Sequence, residues 1–185
     1  MFSPTPSQTV GPFYGYALPF ADGGALVPAG TPGAITIHGF VFDGLGDPVP
    51  DALLEIWQPG ADGSRAGAPG SLRRDPTTGR DAGRDGVTWT GFGRVATDAD
   101  GRYAMRTVPP GGVPYVSMCV FARGLLHHLF TRIYLPGADV ESDAVLAGLE
   151  PERRATLLAE AIAEGVFRFD IRLQGEKETV FLEFR

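Results

Sequence analysis

The chain has 185 residues, enough for one domain with a sizeable hydrophobic core. A hydrophobic share of 43% with 21% charged residues is globular composition and excludes a disordered chain. The net charge of −6, with no basic run, excludes nucleic-acid binding through a clustered cationic footprint.

The 26 glycines and 16 prolines follow no collagen-like period. They read as punctuation between many turns, which favours an all-β fold. Cys119 is the only cysteine, so an intrachain disulfide and multi-cysteine zinc sites are excluded. Its apolar surroundings, Val116 to Phe121, predict a buried and inert thiol. Met1 to Val10 has neither the cationic start nor the apolar run of a signal peptide, and no stretch approaches a membrane span. The expectation is a cytoplasmic protein with no membrane partner.

Met1 to Pro32 is rich in Pro, Gly, Phe and Tyr without any period, which predicts an extended N-terminal arm over its own domain or a partner. Residues 33–185 then form a single β-sandwich domain. Ala34 to Asp43 and Leu53 to Gln58 read as strands around the turn signal Gly44-Leu45-Gly46-Asp47-Pro48. Pro59 to Thr88 reads as a long loop dense in Gly, Arg, Asp and Pro; loops of that length are uncommon and usually functional or ordered by a partner. Strands resume at Phe92 to Thr97 and Arg102 to Val108, with Asp98-Ala99-Asp100-Gly101 predicting a tight hairpin between them. Val116 to Ala122 and Leu126 to Leu135 follow.

Pro151 to Glu164 reads as the one clear helix, with Pro151 at its first position and Leu157, Leu158, Ala161 and Ile162 on one stripe. The ending carries the clearest strand signal. Phe167, Phe169, Ile171 and Leu173 alternate with Arg168, Asp170 and Arg172, one buried face against one wet face, and Thr179 to Phe184 returns. About eight short strands and one short helix in the C-terminal half predict a sandwich.

No phosphate-binding glycine motif, nucleophile elbow or Cys/His pair is present. His127 and His128, adjacent on an expected strand, point to opposite faces and cannot both reach one ion. Glu55 alternates against apolar residues and reads as a paired structural charge. Judged by chemistry alone, the chain is a sandwich without an engine.

Several segments together resemble the intradiol ring-cleaving dioxygenases: Thr5-Pro6-Ser7-Gln8-Thr9-Val10-Gly11-Pro12-Phe13, Leu54-Glu55-Ile56-Trp57-Gln58, Gly93-Arg94-Val95-Ala96-Thr97-Asp98, Phe121-Ala122-Arg123-Gly124, Thr131-Arg132-Ile133-Tyr134 and Phe167 to Gly175. They run in family order along nearly the whole chain. The resemblance implies a β-sandwich and, in the heteromeric members, two homologous chain types. One of these holds Fe(III) with two tyrosines and a His-x-His pair, hard ligands that suit a hard ion. Here Tyr115-Val116-Ser117 stands at the His-x-His place, and Pro59 to Thr90 contains no tyrosine. The resemblance therefore implies no metal ligands in this chain. It implies Fe(III) in a homologous β subunit, an (αβ)n heteromultimer, and a carboxylated catechol and O2 as substrates. Arg123, Gly11 and Pro12 match the residues with which the iron-free chain lines the shared pocket. Two alternatives stand beside this reading: an autonomous iron site from Tyr115, His38 and one of His127 or His128, and a non-enzymatic binding module.

Overall fold

The computed structural model describes residues 5–65, 72–84, 89–139 and 141–184. Two sheets face each other. In the first, β1 (Ile35–Phe42) carries β6 (Arg102–Thr107) antiparallel on one side. On its other side lie β10 (Val166–Arg168) and β11 (Ile171–Arg172), both parallel to it. β9 (Glu160–Ala163) closes that edge against β10. The second sheet is antiparallel throughout, in the order β5 (Phe92–Ala96), β2 (Leu53–Trp57), β7 (Tyr115–Phe121), β8 (Leu129–Tyr134).

Period-two patterning builds the core. Buried and half-buried residues alternate along β1 and β7, so Ile37 and Val41 from one sheet meet Val116, Met118 and Val120 from the other. These side chains are all but inaccessible to water. Burying such a side chain fully is worth about 1.5–3 kcal/mol relative to leaving it exposed, so this interior drives the folding of the sandwich.

Several expectations need correction. Asp98 to Gly101 is a tight turn, with Asp98 Oδ1 accepting from the backbone of Asp100 at 3.0 Å and Arg102 at 2.9 Å. It does not join paired strands: β5 lies in one sheet and β6 in the other. The long loop after β2 carries a two-stranded ribbon, β3 (Leu72–Arg74) with β4 (Asp81–Arg84), folded over an Asp75 that accepts from Thr77 N and Thr78 Oγ1, both at 2.8 Å. Among the described residues the C-terminal return forms no strand: it makes an isolated bridge, Phe130 to Leu182, and a backbone hydrogen bond from Thr179 N to Arg172 O at 3.0 Å.

The expected helix from Pro151 to Glu164 is helical only as far as Ala155. Leu157 is drawn into a second apolar cluster with Tyr134, Leu146 and Val180, outside β8. Tyr134 and the chain from Leu157 to Ala159 then exchange backbone hydrogen bonds of 2.9 and 2.8 Å, and β9 takes the free edge of β10. Open strand edges and a buried leucine outweigh the helix preference of an Ala- and Leu-rich stretch, a weak local bias. Two other helical turns are present among the described residues, α1 (Tyr14–Ala17) and α2 (Ala144–Ala147). The Pro151–Ala155 helix is α3.

The segment just before β1 bonds to both sheets of the sandwich. Arg94 N donates to Gly23 O at 2.9 Å and Arg106 N to Gly24 O at 2.8 Å, one bond to each sheet. Leu26 and Val27 are buried. Gly23 leaves no room for a side chain: a Cβ there would sit 2.1 Å from Arg94 O.

Candidate functional site

Arg123 stands in the turn that follows β7, next to a Gly124 whose φ of +86° a residue with a Cβ rarely adopts. Its guanidinium pairs with the Asp51 carboxylate while 72% of the side chain stays exposed. Asp51 is itself unusual, with a φ of +63° in the tight turn before β2. Its carbonyl accepts from Tyr14 Oη at 2.8 Å. Burial, and then the Asp51 charge, raise the pKa of that phenol, so it stays protonated and donating.

Gly11 is half-buried with φ +75°, and Pro12 is exposed. The residues flanking them anchor the arm. Ser7 Oγ lies 3.0 Å from His127 Nε2, and Gln8 and Val10 close a cavity of about 110 Å³ with Phe121, Leu125 and His128. The structure thus brings the arm and Arg123 to one end of the sandwich, joined through Asp51. Nothing in the sequence pattern singles out Asp51; only its backbone conformation and its two partners reveal it.

A second feature lies on the outer face of the β5-β2-β7-β8 sheet. A cavity of about 310 Å³ opens beside Trp57, Trp89, Tyr115 and Ser117, with Arg65 at its border. Trp57 is 47% exposed although it sits on a central strand. Cys119 lies on this outer face, half-buried and not in the core as its apolar run predicts. Burial and then the nearby Glu55 push its thiol up to about 12, which keeps it protonated and unreactive at neutral pH. Glu55 pairs with Arg94, whose Nε donates at 2.8 Å across the β2-β5 register.

Tyr115 and Ser117, where the resemblance would put two metal ligands, do not fit ferric iron. Tyr115 is packed beneath the Arg132 guanidinium, 3.8 Å from the ring centroid, and lies 5.6 Å from the Tyr134 ring. Tyr134 donates to Asp143 Oδ1 at 2.8 Å, and burial raises its pKa to about 12, against phenolate formation. Ser117 offers a neutral hydroxyl where an imidazole would be needed. The autonomous site is not assembled: His38 faces outward on β1 in the other sheet, His127 holds Ser7, and His128 packs between Phe121 and Phe130. His127 and His128 also precede β8, so they do not lie on a strand. Among the described residues, no three His, Cys, Asp or Glu side chains converge as a metal site.

A family model described as Dioxygenase matches residues 9–120. The chain is 40% identical, over 97% of its own length and 96% of the relative's, to the protocatechuate 3,4-dioxygenase alpha chain of Burkholderia cepacia. It belongs to the intradiol dioxygenase family. The beta chain from the same organism is a more distant member, 29% identical over 78% of this chain and 66% of that one. Among solved structures, the dioxygenase domain of a carbohydrate-binding fusion protein from Streptomyces sp. SirexAA-E aligns with a TM-score of 0.59 at 27% identity, covering 94% of this chain and 99% of that one. The intradiol fold is therefore retained here. Among the described residues, no helix is long and apolar enough to cross a membrane.

Proposed function

We propose that this chain is the alpha-type, iron-free subunit of an αβ-heteromeric protocatechuate 3,4-dioxygenase in the cytoplasm. The observation that carries the reading is the near full-length similarity to an alpha chain, at 40% identity. The complex inserts both atoms of O2 into protocatechuate, breaking the bond between the two hydroxylated carbons to give 3-carboxy-cis,cis-muconate. Fe(III), held by the homologous β subunit, supplies activation of the bound catecholate.

The contribution of this chain lies at its Arg123 end. Asp51 engages the guanidinium through one nitrogen, and the largely exposed side chain leaves the remaining N–H donors of the fork for the shared pocket. There they meet the negative charge of the carboxylated catechol. Fixed cationic donors of this kind are worth more than in water, because the water-excluded pocket screens them less. Gly11 and Pro12 form a compact backbone wall on the same side, and the Tyr14 and Ser7 anchors hold that wall in place.

Coexpression with an intradiol β-type chain tests this. The pair is expected to purify as a coloured complex that consumes O2 with protocatechuate, and this chain alone as colourless, inactive protein. Stoichiometric iron and ring cleavage by the lone chain would refute it.

A further inference from the structure

The cavity between Trp57 and Trp89 is not consumed by the reading above. Its walls are built before any ligand arrives. Gly60 N donates to Ser64 O and Gly111 N to Gly60 O, both at 2.9 Å, which pins the turn that carries Arg65. The Gln58 side chain is fully engaged with Thr107 and Val108 at 2.9 and 2.8 Å, locking the chain as it leaves β2. At about 310 Å³ the cavity falls in the range of small-molecule sites, which are mostly apolar with a few converging polar groups.

Its chemistry selects a class of ligand. Two indoles and a phenol line it, aromatic surface that suits packing against an aromatic ring; Arg132 covers one face of the phenol, and Phe92 packs against the Trp57 indole. Arg65 is exposed at the border, and no side chain among the described residues pairs with it. Its planar fork matches a carboxylate. The hydroxyls of Tyr115 and Ser117 likewise carry no hydrogen bond among the described residues, leaving two further polar groups for a ring substituent. We propose that this cavity is a second, metal-free binding site for a small aromatic carboxylate. In the heteromer it would place a ligand site on the alpha-type chain, separate from the Arg123 end.

Calorimetric titration of the αβ complex with 4-hydroxybenzoate, with the visible spectrum of the ferric centre recorded in parallel, decides the question. Two binding events per αβ pair are expected, one shifting the visible absorption and one leaving it unchanged. Arg65→Ala weakens only the colour-silent event, by about 10- to 100-fold as for a lost charge-assisted hydrogen bond. Trp89→Leu also weakens it, and turnover is unchanged in the Arg65 variant. A single event per pair, a colour-silent event insensitive to Arg65→Ala, or equal affinity for the neutral 4-hydroxybenzyl alcohol overturns the proposal. If the complex holds no iron, the visible titration vanishes and the functional reading above fails. The Arg65-dependent site is still counted by calorimetry.

Discussion

Arg123 keeps most of its side chain in the open while Asp51 restrains its head group. Exposed ion pairs add little stability, so truncating Arg123 leaves folding intact. Its effect belongs to the pocket of the complex. Arg123→Ala is expected to lower kcat/KM for protocatechuate by about 10- to 100-fold, the value of a charged hydrogen bond, with iron content unchanged. Arg123→Lys restores part of the loss as a point charge without the fork. Steady-state kinetics beside metal analysis separates this from an assembly defect; unaltered kcat/KM would leave Arg123 a turn residue.

Tyr103 is the buried counterpart, donating to Phe169 O at 2.6 Å with no access to water. Burial raises its pKa well above that of a free phenol. The folded chain therefore holds a proton that the unfolded chain releases above about pH 10. The stability from this group is fully present below that pH and is lost as pH rises further toward the folded value. Tyr14, Tyr134 and Cys119 are raised too, so they act in the same direction. Urea midpoints measured from pH 8 to 11 are expected to fall at the alkaline end. Tyr103→Phe, at a cost of about 1–2 kcal/mol near neutrality from the lost hydrogen bond, should flatten part of that slope. An unchanged slope would contradict the assignment.

At the scale of elements, β1 shows how a strand is read and misread. Its β-branched and aromatic content and the alternation of Phe167 to Leu173 are legible in the sequence. The interruption between β10 and β11 is not. It arises where Phe169 O approaches Gly39 so closely that a Cβ would sit 1.9 Å away, and where Asp170 Oδ1 accepts from Phe40 N at 3.2 Å. Such a contact is set by the partner strand and has no local signature. The partition of β5 and β6 between sheets is hidden for the same reason, since a tight turn looks alike whether it joins paired strands or crosses the sandwich. The site divides likewise. The residue types at Tyr115 and Ser117, where the resemblance would put imidazoles, are visible in the sequence, whereas the Asp51 clamp and the Trp57–Trp89 cavity exist only after folding. Gly39→Ala is expected to force β1 and the Phe169 backbone apart and to cost about 1–3 kcal/mol, the usual range for overpacking. Thermal unfolding checks it, and a Tm equal to the parent's would mean that the strands part freely.

For the whole molecule, the arm leaves an unresolved account of apolar surface. Val10, Phe13, Tyr16 and Leu18 are 46%, 77%, 83% and 40% exposed, while Tyr14 between them is buried against the sandwich. The single turn of α1 thus grips its own domain with one ring and presents others outward, beside the Arg123 end. Exposed aromatic clusters of this kind mark interaction sites, and aromatic side chains carry much of the binding energy at interfaces. On the heteromeric reading proposed above, the homologous chain is expected to cover this surface. The double variant Phe13→Ser, Tyr16→Ser should leave the Tm of the lone chain within a few degrees, because both side chains are already in water and surface changes cost about 0.5 kcal/mol or less. The same variant should raise the dissociation constant of the αβ pair by about 10-fold or more, as the loss of two interface aromatics implies. Sedimentation of the mixed chains measures the second quantity and thermal unfolding of the lone chain the first. Undiminished assembly would place the arm outside the interface, and the covering of Phe13 and Tyr16 would have to come from elsewhere.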